Sequence, residues 1–209
     1  MRKLLVLVVV ALGFGFLGAS PSQATPIGPA CGTCQGSIYE ISSTGVPLPD
    51  IDPLHETFRI TYTIDTTGYN GGGTKLNAVA LKVSSMLVGM SLIDAPDGVA
   101  GWTTWMGGLN AKGCSGSGSG FDCAYAGLYA VTAPNGTYSW VFDLTMNNGA
   151  LFTALNSSSI KARYTDANGV KVGDLVSENL TLTIVPEPST GLLVGLGGSI
   201  LAARRSRRR

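Results

Sequence analysis

Apolar and polar residues alternate along several short stretches of the chain, and a period of two residues predicts β-strands. In residues 57–64 every second residue is Phe, Ile or Tyr, and the residues between them are Thr or Arg. Residues 137–144 alternate in the same way around Trp140. Shorter alternating runs lie at residues 79–83, 86–93, 160–164 and 180–184. The alternation predicts a core built from the faces that contain Phe58, Val79, Tyr138, Ile160 and Leu180.

Turn residues separate these runs. Residues 69–73 read Tyr-Asn-Gly-Gly-Gly, and residues 166–169 read Asp-Ala-Asn-Gly, whose Asn-Gly pair suits positive φ. A single short helix is predicted in this part of the chain, at residues 151–155. About eight to ten short strands with turns between them indicate an all-β fold, an antiparallel β-sandwich. The number of strands favours a jelly-roll-like variant.

The N-terminal residues have the three parts of a secretory signal peptide. Arg2 and Lys3 precede an apolar run at residues 4–17, and Ser22 and Ala24 place small residues at the −3 and −1 positions of a cleavage site. Cleavage after Ala24 is therefore expected. The alternative is an uncleaved anchor helix, for which the apolar run is short. The predicted organisation is a short helical signal peptide at 1–24, a β-domain at 25–185 and a C-terminal signal at 186–209.

The charge of the predicted β-domain differs from that of the whole chain. The formal net charge of the chain is +1, but half of its basic residues lie at the two ends. Residues 25–185 contain seven basic and twelve acidic residues, a net charge of −5. A mildly acidic domain without a cluster of Lys and Arg argues against nucleic-acid binding. Its richness in Gly, Ser, Thr and Asn suits short strands joined by turns.

Four cysteines form two near pairs in a chain that is predicted to be exported. Cys31-Gly-Thr-Cys34 fits a redox motif, half of a zinc site or a small structural disulfide. No βαβ pattern surrounds it, and neither a second CxxC nor paired histidines accompany it, so the structural disulfide is preferred. Cys114 to Cys123 is the preferred second bridge, across a Gly/Ser loop, although the sequence leaves all three connectivities open.

The residues that catalysis requires are sparse. His55 is the single histidine, and we interpret it as a surface-loop residue. Residues 115–120 alternate Ser and Gly without the spacing of a nucleophile elbow, and no glycine run matches a nucleotide-binding loop. We therefore predict no enzyme activity, no cofactor and no metal site, although calcium at acidic loops stays open. Candidate carboxylates without informative spacing are Asp50, Asp52, Asp94, Asp97 and Asp122.

Two tryptophans lie beside the Gly-rich loop. Trp102 and Trp105 are candidates for an aromatic platform that contacts sugars, because indole rings pack against the CH faces of sugar rings. The alternative is that one or both fill the core, as Trp140 does in its alternating strand. The turn at residues 166–169 contains part of a calcium-loop pattern, but it lacks the later Glu and is interpreted as a hairpin turn.

The C-terminal segment does not resemble the end of a packed domain. The run at residues 191–203 is apolar except for Ser199 and ends in a block of five arginines. As a helix it is about 20 Å long, against about 30 Å for the hydrocarbon core of a bilayer. Arginines that stay cytoplasmic leave the β-domain outside. A short transmembrane helix, an arginine stop and a preceding proline motif together indicate a transient anchor that is processed.

Residues 185–190, Val-Pro-Glu-Pro-Ser-Thr, together with the apolar run and the arginines, resemble the PEP-CTERM sorting signal of Gram-negative bacteria. The resemblance implies recognition by an exosortase, a membrane cysteine transpeptidase, with processing near Pro186, Glu187 and Pro188. It also implies transient residence in the inner membrane and export to the cell surface or into extracellular polysaccharide. Segments of the body, at residues 31–36, 62–68, 108–116 and 140–143, resemble a recurring PEP-CTERM group, which implies export and a β fold.

Two classes of function remain after these exclusions. The first is an exported structural protein of the cell surface or extracellular matrix, associated with exopolysaccharide. The alternative is a secreted carbohydrate-binding module that uses Trp102 and Trp105. A secreted hydrolase is a third hypothesis, which the scarcity of catalytic residues disfavours.

Overall fold

The alternating runs form antiparallel β-strands in the computed structural model of the protein. The structure describes residues 22–23, 25–49, 52–82, 87–110, 113–114, 121–126, 131–132, 136–147 and 158–180. These residues belong to one compact unit, Ser22–Val185. The strands are β1 (Ser22–Gln23), β2 (Ile38–Ser43), β3 (His55–Asp65), β4 (Lys75–Lys82), β5 (Leu87–Asp94), β6 (Thr103–Met106), β7 (Leu109–Asn110), β8 (Gly113–Cys114), β9 (Phe121–Tyr125), β10 (Val131–Thr132), β11 (Thr137–Asn147), β12 (Ser158–Thr165) and β13 (Lys171–Leu180).

The two longest strands share the first sheet. β3 and β11 pair along their whole length, from Asp65 opposite Thr137 to His55 opposite Asn147. The order of this sheet, called sheet 1, is β1-β2-β3-β11-β5, and all its pairs are antiparallel. Phe, Ile, Tyr, Trp and Leu side chains on one face of β3 and β11 are buried, as their alternation predicts.

The second sheet, called sheet 2, has the order β13-β12-β4-β9-β6, with β10 paired to β4. Its pairs are antiparallel as well. β7 and β8 form a separate two-stranded hairpin. The all-β, antiparallel prediction is therefore confirmed. Along the chain β3, β4, β5, β9, β11 and β12 alternate between the two sheets, while the jelly-roll assignment itself stays a prediction.

The two sheets share one hydrophobic core, which makes the arrangement sandwich-like. The Tyr39 hydroxyl on β2 lies 2.9 Å from the Tyr164 hydroxyl on β12, so this hydrogen bond joins the sheets. Trp102 packs edge-on against Trp140, with ring centroids 5.3 Å apart. Burying each large apolar side chain contributes about 1.5–3 kcal/mol. Fully buried large side chains are Trp140, Tyr39, Tyr62, Tyr164, Phe142, Ile41, Ile60, Ile64, Leu76, Leu81, Leu144 and Met146.

β4 differs from the strand that its sequence predicts. Alternation over residues 79–83 predicts one exposed face, but residues 76–81 are all buried. The reason is a second, smaller cluster on the outer face of sheet 2, where Ala78 and Ala80 pack with Leu109 and Cys123. The β7–β8 hairpin covers this outer face, so alanines replace the polar residues that solvent exposure would favour.

A bulge in β4 places a hydrogen-bond acceptor beside a buried arginine. Arg163 lies opposite Ala78 and Tyr164 lies opposite Leu76, so Asn77 is an extra residue in β4. Arg163 Nη1 donates a hydrogen bond to Asn77 Oδ1 at 3.1 Å, and both side chains are buried. The bulge thus supplies one polar partner to the buried cation, at Nη1, while Nε has no hydrogen-bond partner among the described residues.

The predicted turn at residues 166–169 joins β12 to β13. The Gly169 amide donates to the Asp166 carbonyl at 3.1 Å, and Asp166 Oδ1 accepts from the amides of Asn168 and Val170. Among these residues only Gly169 has positive φ, +80°. The turn expected at the Asn-Gly pair is present, and only its glycine adopts positive φ, because a three-residue loop of this kind places only its last residue in the left-handed region.

Several other predictions concern segments beyond the described ranges. These are the signal peptide and its Ala24 cleavage site, the helix at 151–155, the end of the last strand at 181–184 and the C-terminal transmembrane helix. The structure adds a short 3-10 helix at Val99–Gly101. None of the helical turns it describes is long and apolar enough to cross a membrane.

Candidate functional site

The first cysteine pair closes a tight turn that packs against a neighbouring loop. Cys31 and Cys34 form a disulfide with Cα atoms 5.1 Å apart, in the pairing preferred from sequence. The turn continues to Gly36, whose φ is +82° and whose Cα faces the Gly68 carbonyl. The Asn70 amide donates to the Gln35 carbonyl at 2.9 Å. Segments 31–36 and 62–68, which carried part of the resemblance in the body, therefore meet in space.

A network of buried tyrosines continues from this turn into the core. The Tyr164 hydroxyl lies 3.0 Å from Ser37 Oγ and 2.9 Å from the Tyr39 hydroxyl. Tyr69 stacks on Tyr164 with centroids 4.3 Å apart. Burial raises the pKa of Tyr164 to about 12 and raises that of Tyr39 further. These phenols stay protonated at neutral pH, so the network is structural and offers no base.

The second cysteine pair anchors the β7–β8 hairpin to sheet 2. Cys114 in β8 is bridged to Cys123 in β9, with Cα atoms 5.6 Å apart, again in the preferred pairing. Cys123 is fully buried, and Leu109 of β7 packs beside it. The bridge closes the Gly/Ser loop at residues 115–120, which lies outside the described ranges. The hairpin is therefore held covalently on the outer face of sheet 2.

The structure does not place Trp102 and Trp105 on one exposed face. Trp102 is only 7% exposed, and its Nε1 donates to the Pro96 carbonyl at 2.9 Å. Its ring contacts Trp140, so Trp102 is part of the core. Trp105 is 41% exposed and lies opposite Cys123 in β9. Of the two indoles that the sequence singled out, only Trp105 is available to a ligand.

Trp105 belongs to a row of aromatic residues on the outer face of sheet 2. Directly paired residues point to the same side of a sheet, so Trp105 and Cys123 share this face with Phe121 and Tyr125. The rings of Trp105 and Tyr125 are 6.3 Å apart and inclined by 58°. Phe121 and Tyr125 are half-buried and pack beside the small outer cluster.

Two lysines converge on Phe121 at the end of this row. Lys161 Nζ lies 4.6 Å from the centre of the Phe121 ring, and Lys82 Nζ lies 5.7 Å from it. Such cation–π contacts contribute about 0.5–1 kcal/mol each at exposed sites. Here we define the lysine–aromatic face as Trp105, Phe121, Tyr125, Lys82 and Lys161. Sequence reasoning missed this face, because β4, β9 and β12 are far apart along the chain.

Of the acidic candidates, Asp50 lies outside the described ranges, and each of the other four has its own surroundings. Asp52 Oδ2 lies 2.6 Å from His55 Nδ1, and this hydrogen bond lowers the pKa of the carboxyl. His55 is the first residue of β3 and is half-buried, so the surface-loop interpretation was wrong. Asp94 Oδ1 accepts from the Ala95 amide, and Asp97 is an exposed turn residue with φ of 60°. Within the described ranges no three metal-ligating side chains come together.

Asp122 stands apart from the other carboxylates. It lies on the inner face of β9, opposite Leu81 of β4, and is fully buried. Neither carboxyl oxygen has a hydrogen-bond partner in the part of the chain that the structure describes. Burial raises its pKa from 3.8 to about 7. The residues next to Asp122 in the sequence did not indicate that its side chain would be buried.

Comparison with known proteins bears on the C-terminal segment. A model of the PEP-CTERM protein-sorting motif matches residues 185–209. This range contains Pro186, Glu187 and Pro188, which the structure does not describe. No protein of curated function matches the chain. PEP-CTERM motifs are generally recognised by exosortases. The match confirms the resemblance seen in the C-terminal segment and supports a protein that is exported and sorted through this signal.

Proposed function

We propose that the protein is a structural component of the cell surface or extracellular matrix, associated with exopolysaccharide. The observation that carries the proposal is the sorting motif at residues 185–209. In this proposal an exosortase-type enzyme processes the chain while its C-terminal helix holds it in the inner membrane. The β-domain is then released or attached outside, without a cofactor.

The properties of the β-domain support this destination. Its four cysteines form two disulfides, a chemistry that suits an oxidising compartment. His55 is engaged with Asp52 at the start of β3, and the buried tyrosine network is structural, so the proposal assigns the domain no catalytic activity. Binding of nucleic acid is not part of the proposal, since the predicted mature domain is acidic.

Substitution of the sorting motif tests this proposal. Changing Pro186, Glu187 and Pro188 to Ala should leave the protein in the inner-membrane fraction of a host that has an exosortase. Glu178→Gln, which removes one acidic charge upstream of the motif, should be processed like the wild type. Immunoblots of membrane and extracellular fractions distinguish the two. Equal export of the motif variant and the wild type would contradict the proposal.

A second candidate function is carbohydrate binding, which the exposure of Trp105 favours. The platform proposed now is Trp105 beside Tyr125, because Trp102 is buried. Trp105→Ala should reduce retention on the host's own exopolysaccharide. Met106→Ala is the matched control, since Met106 is similarly exposed in the same strand but alternates to the other side. Wild-type protein that is not retained would exclude this function.

A further inference from the structure

The charges of the sandwich are separated between its two sheets. The strands of sheet 1 contain one basic residue and five acidic residues, whereas those of sheet 2 contain five basic and three acidic residues. One residue of each sign in sheet 2 is buried, Arg163 among the basic residues and Asp122 among the acidic ones, which leaves four basic and two acidic residues. An acidic domain thus presents its positive charge on one sheet, and a ligand of negative charge is attracted to that side.

The two lysines of the lysine–aromatic face differ from the arginine of sheet 1. Arg59 is neutralised by two hydrogen bonds to Asp143, both 2.7 Å long. Within the described ranges neither Lys82 nor Lys161 forms an ion pair; both instead lie over the Phe121 ring. Both ammonium groups thus lie within 5.7 Å of one ring centre, and the ring does not cancel their charge. Two like charges held in this way favour an anionic group between or beside them.

The aromatic part of the face adds an apolar contact next to this charge. Phe121 lies opposite Lys82 in the register of β9 and β4, and Trp105 lies opposite Cys123, two residues further along β9. Two residues along a strand cover about 7 Å. The partly exposed indole is therefore displaced from Phe121 by about 7 Å along β9 and by one strand across the sheet, from β9 to β6. This combination fits a ligand that alternates flat apolar surfaces with carboxylates.

From these contacts we propose that the lysine–aromatic face binds an anionic sugar chain, such as a polymer of uronic acids. The sugar rings pack on Trp105, and a carboxylate accepts hydrogen bonds from Lys82 and Lys161. The inference rests on the proposed extracellular role, because matrix polysaccharide is where such chains occur. Nucleic acid fits less well, since its binding draws on many phosphate contacts and this face offers two unpaired cations.

Retention on immobilised alginate, a polyuronate, tests the inference with the full-length chain purified in non-ionic detergent. The wild type should be retained at low salt, released as salt rises, and not retained on neutral dextran. Lys82→Gln together with Lys161→Gln should weaken binding about tenfold, because each exposed ionic contact is worth up to about 1 kcal/mol. Lys75→Gln with Lys171→Gln removes the same charge elsewhere on sheet 2 and should have little effect. Equal melting temperatures establish that both variants fold.

Four outcomes would overturn the inference. They are no retention of the wild type on alginate, retention that salt does not reduce, equal losses in the two lysine variants, and equally strong retention on immobilised DNA. None of them bears on export, because processing at residues 186–188 is measured separately. Conversely, a chain that fails to be exported but binds alginate through Lys82 and Lys161 would contradict the proposed function alone.

Discussion

Among individual residues, Asp122 departs most from the pattern around it. It lies on the inner face of β9, where Ala124 packs into the core, as does Ala126 directly after the strand. A buried carboxylate without a hydrogen-bond partner is costly in its ionised form, so burial raises its pKa to about 7. The folded protein therefore holds a proton that the unfolded chain releases above about pH 4. The contribution of Asp122 to stability is greatest at low pH and is lost as pH rises towards 7.

We predict that Asp122→Asn stabilises the protein at pH 8 and has little effect at about pH 4, where the wild-type carboxyl has only begun to lose this contribution. The amide has the shape of the protonated acid but never acquires a charge. Between about pH 4 and pH 7 the wild type should lose up to about 1.4 kcal/mol of unfolding free energy per pH unit from this group, and the variant should not. Thermal melts at both pH values measure the difference.

Asp97→Asn is the control for this prediction, because Asp97 is exposed and Asn also accepts its positive φ. The control should shift the melting temperature by a similar, small amount at both pH values. A variant Asp122→Asn that is less stable than the wild type at pH 8 would show that the carboxylate is stabilised in its ionised form.

The hydroxyl pair of Tyr39 and Tyr164 joins the two sheets, and its contribution can be isolated. Tyr39→Phe and Tyr164→Phe should each lower the unfolding free energy by about 1–2 kcal/mol, since each removes the buried hydrogen bond between the sheets. The double variant should lose less than the sum, with a coupling of about 1 kcal/mol. Tyr125→Phe, in a half-buried tyrosine, is the control. Additive losses in denaturant titrations would mean that the two hydroxyls do not interact.

Among the elements, the turn at residues 31–36 depends on two glycines of different kinds. A Cβ on Gly36 would overlap the Gly68 carbonyl, and its φ of +82° is unfavourable for other residues. Gly32, in the same disulfide loop, has open space around it and no positive φ. The loop thus supplies a required glycine and a replaceable one within five residues.

We predict that Gly36→Ala destabilises the protein by more than about 2 kcal/mol, whereas Gly32→Ala changes stability by less than about 0.5 kcal/mol. Only the first substitution forces the turn away from the Gly68 carbonyl. Chemical denaturation of both variants under oxidising conditions measures the two effects with the disulfide intact. Similar losses in both variants would show that the contact between the turn and the loop does not hold the fold together.

The strands divide into those that the sequence could predict and those that it could not. β3 and β11 are long, have one buried face and alternate cleanly, so their period of two residues was enough. β9 was missed because Asp122 occupies an inward position, where the pattern requires an apolar residue. β4 was predicted with one exposed face, because no local signal indicates that the β7–β8 hairpin covers it. The bulge at Asn77 depends on its partner in β12, and so it is a tertiary feature.

Some features of the candidate site could likewise be predicted from the sequence, and others could not. The cysteine pairings follow from their closeness in sequence, and the structure has them. Trp102 and Trp105 are three residues apart, and sequence alone does not say which of them points inward. Phe121, Lys82 and Lys161 come from three strands that meet only when sheet 2 forms. Local features of the site were therefore predictable, and the juxtaposition that carries its chemistry was not.

At the scale of the whole molecule, a C-terminal sorting motif accompanies a folded β-domain. The motif lies at residues 185–209, and two disulfides and a common core stabilise the sandwich. Unequal charge on the two sheets gives that domain an orientation with respect to charged surroundings. These three properties together fit a protein that works outside the cell among polymers.

Intact-mass spectrometry of the exported protein tests the central claim most directly. We predict a mature form that begins at Thr25 and lacks residues 191–209. Its mass should also show two disulfides, which remove four hydrogen atoms relative to the reduced chain. Both cleavages and the state of all four cysteines are read from the same spectrum. Full-length protein that accumulates in the inner membrane of a host with a working exosortase would contradict the account.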